Sequence, residues 1–321
     1  MNRTDHLHIG IVIPTYNRAT LIGETLESVL AQSRAADEIV VVDDGSTDNT
    51  RDVLAPFVRR GVRYVYQNNA HLSAARNRGE QELGPTINAV LFLDSDDRLV
   101  PDALERLAQA LEATPRAPLA YGRPRFIGPS GQPTGRTWGF ADFAGANVWD
   151  NLVERNFICT AGSVLLRRSA VQNANGFDTG LRRAEDWDMW LRLSERGEAF
   201  GRVATPSKPI IEYRVHAGTL SQTWEQNWPA EQAMLRAHLA RPSLRENPVR
   251  HTRLEAVIAR RDARLRLARD EGANAQDALL SPRHRRLRAV LDRLPIAGLY
   301  RRLPLSLRLT LRDRFGIDRS A

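Results

Sequence analysis

The chain has 321 residues, 42% hydrophobic and 26% charged; that is enough for about two domains with buried cores and excludes disordered, collagen-like and coiled-coil chains. A single cysteine, Cys159, excludes an intramolecular disulfide and a cysteine-based metal site, and it fits a reducing compartment. The net charge is +8, but residues 221–321 hold 21 arginines against 11 acidic residues, whereas residues 1–220 hold 25 basic against 27 acidic ones, so the first 220 residues lack the broad basic face of a nucleic-acid binder.

Ile9 to Pro14 (IGIVIP) is a β-branched run stopped by proline. A helical stretch follows from Thr20 to Gln32, and Glu38 to Asp43 (EIVVVD) repeats the strand pattern, which is a βαβ opening. Val62 to Tyr66 and Asn88 to Leu93 add two buried-type strands, separated by helix-patterned segments around Asp52 to Arg60 and Ser73 to Leu83. Alternation of this kind predicts an α/β fold, a doubly wound, mostly parallel sheet flanked by helices. Ligands in such sheets bind beyond the carboxyl ends of the strands. Here those ends are Thr15-Tyr16-Asn17, Asp43-Asp44-Gly45-Ser46 and Asp94-Ser95-Asp96-Asp97.

Pro101 opens an amphipathic helix, Asp102 to Glu112, where its missing N–H costs nothing. Gly128 to Gly145, rich in Gly, Pro and Thr with Trp138, Phe140 and Phe143 interspersed, reads as a loop over a site. Gly162 to Arg167 is a strand, and Glu185 to Glu195 is a helix ended by Gly197. Beyond Trp224 the pattern is helical, over Glu231 to Leu239, Leu254 to Arg269, Pro282 to Leu294 and Leu299 to Phe315. The expected domains are residues 1–220, in two halves over about 7–115 and 116–220, followed by a helical, arginine-rich region over 221–321. The opening MNRTDH lacks the apolar stretch of a signal peptide, and no apolar run reaches the roughly 18 residues of a spanning helix. A cytoplasmic location is expected.

Asp43, Asp44, Asp94, Asp96 and Asp97 gather negative charge at one sheet edge, which is unfavourable unless a cation or hydrogen-bond donors compensate. Mg²⁺ or Mn²⁺ takes one or two carboxylates plus phosphate oxygens, so a metal here implies a phosphorylated ligand. The competing reading is that Asp-Ser-Asp-Asp merely caps the next helix.

Taken together, Pro14-Thr15-Tyr16-Asn17-Arg18, Val42-Asp43-Asp44-Gly45-Ser46-Thr47-Asp48, Ala75-Arg76-Asn77-Arg78-Gly79, Asp94-Ser95-Asp96-Asp97 and Glu185-Asp186-Trp187 resemble the family 2 glycosyltransferases in order and spacing over about residues 7–220. The resemblance implies a GT-A fold with its sugar-nucleotide-binding half over about 7–115 and its acceptor half over about 116–220, a sugar-nucleotide donor (a UDP-sugar favoured), Mn²⁺ or Mg²⁺, and inversion at the anomeric carbon. It places Pro14, Thr15 and Tyr16 along the base, Asp44 at the base edge, Arg76 near the ribose or diphosphate, Asp94 near the ribose, Asp96 on the metal and Asp186 as general base. It adds His216 as a metal or diphosphate contact. One departure stands at Asn68-Asn69-Ala70-His71, where relatives more often have glycine after the asparagine.

The chemistry agrees with those roles, because sugar transfer needs a base for the acceptor proton and charge neutralisation on the departing diphosphate. Each residue also has a plainer role available. Tyr16 could pack on the sheet edge, Arg76 could lie on a solvated helix face, Glu185 and Asp186 could serve the helix dipole, and His216 could be an ordinary surface histidine. Trp187, Trp190 and Leu193 at helical spacing read as a core stripe that leaves Asp186 facing the cleft. His71 reads as structural.

The tail from Pro282 interleaves arginines such as Arg283, Arg288, Arg301 and Arg312 with leucines. This pattern fits helices lying on an anionic bilayer, peripherally at the inner face of the plasma membrane, or a helical cap on the catalytic domain. The expected acceptor is a glycan or lipid-linked sugar of cell-envelope or exopolysaccharide synthesis, with no nucleic acid among the partners. A noncatalytic sugar-nucleotide scaffold is the main alternative. A nucleotidyltransferase is weaker, because strand one is not followed by a Gly-rich basic phosphate loop.

Overall fold

The computed structural model describes residues 6–137, 148–205, 207–216 and 224–270. The expected helices beyond residue 270, and Trp138, Phe140 and Phe143, lie outside the described residues. The described residues form two units, one of 6–135 and 148–234, the other of 235–270 with 136–137.

The first unit opens with β1 (Ile9–Thr15), α1 (Ile22–Leu30), β2 (Glu38–Asp43), α2 (Thr50–Val58), β3 (Arg63–Tyr66), α3 (His71–Glu82) and β4 (Ala89–Phe92). The chain continues with β5 (Arg98–Leu99), α4 (Ala103–Glu112), β6 (Leu119–Tyr121), β7 (Pro124–Ile127), β8 (Pro133–Thr137), α5 (Val148–Glu154), β9 (Val164–Arg167), α6 (Arg168–Asn173), α7 (Glu185–Ser194), β10 (Gly201–Arg202) and β11 (Ile211–Arg214). Helix α8 (Trp224–Leu239) leads into α9 (Pro242–Arg245) and α10 (Pro248–Asp270). In the second unit, Leu244, Leu254 and Val257 are buried and Arg236 pairs with Asp262.

Seven strands form the main sheet in the order β10-β6-β9-β4-β1-β2-β3. The pairs β1–β2, β1–β4, β2–β3 and β6–β10 are parallel, while β9 runs antiparallel to β4 and β6. Every residue of β1 and β4 is buried, which is why both strands read as unbroken apolar runs. The register sets Thr15 beside Asp43, so the chain leaves β1, β2 and β4 at one edge, where the polar motifs begin. Helix α3 crosses β1 and β2 at close range through Gly79, where a Cβ would come within 2.2 Å of Val12 Cγ1.

A second sheet, β5-β11-β7-β8, was not expected. Its strands have two to five residues, with Pro124 and Pro133 among them, too short for an alternation signal. Residues 133–137 therefore belong to a strand and not to the loop that their Gly and Thr content predicts.

Candidate active site

The edge of the main sheet opens on a cleft of about 830 Å³ lined by Pro14, Thr15, Tyr16, Arg18, Asp44, Asn69, His71, Leu72, Ala75, Asp94, Ser95, Asp96, Leu181, Arg182, Arg183, Glu185, Tyr213 and Arg214. Segments that are far apart in sequence meet here. Asn17 ties two of them together: it adopts φ 52, its N–H donates to Ser46 Oγ (2.9 Å), and its Oδ1 accepts from the Thr47 N–H (2.8 Å). Asparagine tolerates that left-handed conformation better than most residues. It leaves Tyr16 on the cleft wall, 46% exposed.

The paired aspartates after β2 divide their work. Asp43 is buried beneath the turn and accepts from the Ser46 N–H (2.8 Å) and the Tyr64 hydroxyl (2.9 Å). Burial, and then this bond, push the Tyr64 hydroxyl up to about 12. Asp44 lines the cleft and accepts from the Ala70 N–H (2.8 Å), the His71 N–H (2.9 Å) and Gln67 Nε2 (2.6 Å). His71 adopts a left-handed φ of 69, a conformation that favours glycine, and Asp44 holds it there through its backbone N–H. His71, expected to be structural, therefore stands on the cleft wall.

Arg76 is not on that wall. Its side chain is 2% exposed, with Nη2 on Asp94 Oδ1 (2.8 Å), Nη1 on Glu185 Oε1 (2.9 Å) and the guanidinium 5.0 Å from the Phe177 ring centroid. Where the resemblance places Arg76 near the ribose or diphosphate, the structure shows it as a buried bridge from the end of β4 to the start of α7. Burial opposes the guanidinium charge, and the two carboxylates more than restore it, holding the group above the usual arginine range. Asp94 is partly open to the cleft yet closely surrounded by protein. Burial raises its pKa against the lowering effect of Arg76.

Asp96 Oδ2 lies 3.1 Å from His216 Nε2 and 3.5 Å from Arg18 Nε. Among the described residues no three His, Cys, Asp or Glu side chains cluster to hold a metal. One carboxylate and one imidazole still fit a hard divalent ion that takes its other ligands from a diphosphate, and Asp96 already lies beside the Arg18 guanidinium and the His216 ring. Arg214, whose role the sequence did not reveal, fixes this loop. Its N–H donates to Asp97 Oδ1 (2.8 Å), its Nε to the Asp96 carbonyl (2.8 Å) and its Nη2 to Glu24 Oε2 (2.7 Å). Asp97 is buried away from the cleft, its pKa pushed well up by burial and then by Asp96 and Asp94. It is a structural member of the motif.

At the start of α7, Trp187, Trp190 and Leu193 are buried as their spacing predicts, and Trp187 Nε1 donates to the Leu152 carbonyl (2.8 Å). Glu185 lines the cleft, and Asp186, next to it in the chain, is half-buried and not among the lining residues. Burial, reinforced by the Glu185 charge, raises Asp186 to about 8. Ala184, just before the pair, holds a left-handed φ of 60, a strained conformation for alanine of the kind found at functional sites.

The glycosyl transferase family 2 model matches residues 10–174, more than half of the chain. The chain belongs to glycosyl transferase family 2. GlyA, a glycosyltransferase of Streptococcus pneumoniae, is 27% identical over 269 residues, covering 78% of this chain and 38% of GlyA. The chondroitin synthase of Pasteurella multocida is 28% identical over 200 residues, covering 60% of this chain and 20% of the synthase. This family 2 chain thus spans well under half the length of either relative. Among solved structures, Staphylococcus aureus TarS 1–349 in complex with UDP-GlcNAc superposes with a TM-score of 0.57 at 18% identity, over 76% of this chain and 72% of TarS. That likeness shows a shared GT-A-type fold.

Beyond the residues given a role from the sequence, the family 2 cleft includes Arg18, Asn69, His71, Arg182, Arg183, Tyr213 and Arg214. Arg18 was legible as the last residue of a quoted motif and Arg214 as a charge two residues before His216, but nothing in their spacing marked them as cleft residues. No helix among the described residues is long and apolar enough to cross a membrane.

Proposed function

We propose that this chain transfers a sugar from a nucleoside-diphosphate sugar, a UDP-sugar first, to a hydroxyl of a glycan or lipid-linked acceptor, with inversion, in cell-envelope or exopolysaccharide synthesis. The observation that carries the reading is the convergence, on one cleft, of the exposed Tyr16 ring, the Asp44 carboxylate, the Asp94–Asp96 loop and Glu185, with Asp186 next to it at the start of α7. Tyr16 would stack on the base, with Pro14 and Thr15 beside it, while Asp44 would offer its remaining lone pair to the base edge. Asp94 would face the ribose. Arg76 would keep Asp94 and Glu185 in place from below.

Asp96 and His216 would hold Mn²⁺ or Mg²⁺. When bound, that ion neutralises charge on the departing diphosphate. Asp186 is favoured over Glu185 as general base for a physical reason. The Glu185 carboxylate is engaged by Arg76 at 2.9 Å, whereas burial and the Glu185 charge raise Asp186 to about 8, which makes it a strong proton acceptor once it is ionised. Asp186 accepts the acceptor hydroxyl proton as that oxygen bonds to the anomeric carbon and the carbon–phosphate-oxygen bond breaks on the opposite face. Attack and departure on opposite faces invert the centre. The polysaccharide context rests on relatives such as the chondroitin synthase; UDP comes first because the fold neighbour TarS is described with UDP-GlcNAc.

The test is a thermal-shift and turnover screen of UDP-, GDP-, dTDP- and CMP-sugars with and without Mn²⁺. One nucleotide should raise the melting point, more so with metal, and its sugar should be transferred or slowly hydrolysed. Binding without turnover would favour the scaffold reading. If no donor binds, the proposal fails.

A further inference from the structure

The cleft carboxylates all have partners. Asp44 takes three donors, Asp94 and Glu185 share Arg76, and Asp96 meets Arg18 and His216. Most of its arginines are matched too. Arg18 lies on Asp96, Arg214 is tied to Glu24 and the Asp96 carbonyl, and Arg183 Nη1 donates to Asn227 Oδ1 (2.7 Å). Arg182 is different. It lines the cleft, its side chain is exposed, and it has no hydrogen bond or ion pair among the described residues.

Arg182 and Arg183 stand four and three residues before Asp186, on the segment that the left-handed Ala184 feeds into α7. This is the α7 side of the cleft, contributed by a different half of the chain from the Pro14–Tyr16 and Asp44 wall. A guanidinium is a planar, permanently charged fork suited to a phosphate or carboxylate. On the proposed reading the donor diphosphate would be met by Asp96 with its ion, His216 and Arg18, so a further cation on the α7 side of the cleft, without a partner among the described residues, is available to the other substrate.

We propose that Arg182, with Arg183 beside it, forms an oxyanion subsite for the acceptor, so that the acceptor carries a phosphate or carboxylate near the hydroxyl that is glycosylated. The inference rests on the sugar-transfer reading of the same cleft and names its acceptor class.

Saturation-transfer NMR on the full chain, with UDP and Mg²⁺ present and then omitted, tests it with glucose, glucose 6-phosphate, glucuronate and inorganic phosphate as probes. The two anionic sugars should bind about tenfold or more tightly than glucose, the scale of one charged hydrogen-bonded contact. Arg182→Gln should erase that preference, Arg182→Lys should keep part of it, and UDP affinity should stay within about twofold in both, as expected for a contact outside the donor site. The proposal is overturned by equal binding of glucose, by no binding of either anionic sugar, or by a preference that survives Arg182→Gln. Inorganic phosphate binding as well as glucose 6-phosphate would mark a free-phosphate site and also overturn it. A large loss of UDP affinity in Arg182→Gln would assign the guanidinium to the donor diphosphate instead. If the wild-type chain binds no UDP, the sugar-transfer reading falls, and the UDP-free arm still decides whether the anion subsite exists.

Discussion

Replacing Arg76 by methionine removes one guanidinium and leaves two carboxylates facing each other. The side chain is 2% exposed, while Asp94 and Glu185 are 28% and 13% exposed. Deleting one partner of a buried pair costs about 3–5 kcal/mol. Because both carboxylates keep some access to water, and methionine can still pack against Phe177, we place the loss near the lower end, at about 3 kcal/mol. In a unit of this size each kcal/mol moves the melting midpoint by about 2–4 °C, so the shift is about 6–12 °C downward. Calorimetric melts of the full chain measure it, with Glu185→Gln and the double variant completing a cycle. The double should melt well above the sum of the single losses, since the second change removes a charge that the first left unpaired. A midpoint within about 2 °C of wild type, less than one kcal/mol on the same scale, would show that Arg76 is not the bridge described and would return it to the donor.

Three further outcomes are expected. Asp186→Asn should bind UDP normally yet lose about 10²–10⁴-fold in transfer. It should also change the pH dependence of stability: between the ordinary value of 3.8 and about 8 the folded chain keeps a proton that the unfolded chain has lost, so this stability is complete below the lower value and falls as pH rises through the upper one. The variant should therefore melt increasingly above wild type toward pH 8, and a difference that stays constant with pH refutes the shift. Gly79→Ala forces a methyl onto Val12 of β1 and should cost about 1–3 kcal/mol in denaturant melts; a neutral result means α3 can lift off the sheet freely. Tyr16→Ala should weaken nucleotide binding by about 1–3 kcal/mol in calorimetric titration, the worth of one base stacked on an aromatic ring. It should leave the melting point of the free protein nearly unchanged, because the ring is 46% exposed.

The sequence determined the main sheet and the address of the site. Strands buried on both faces must be apolar throughout, so β1, β2 and β4 were visible as runs, and the polar residues after them had to fall at one edge of a parallel sheet. Tertiary structure alone decided which polar groups face the cleft. Asp43 and Asp44 are neighbours in sequence with opposite assignments, because alternation along an extended chain turns one toward Tyr64 and the other toward the cleft. Arg76 read as a ligand contact and became a bridge, since Asp94 lies 18 residues away and Glu185 lies 109 away, and no local pattern records a pairing over such distances. The second sheet stayed hidden for a related reason. Its strands are too short to carry a period of their own and exist through pairing with distant partners, such as β7 with β11.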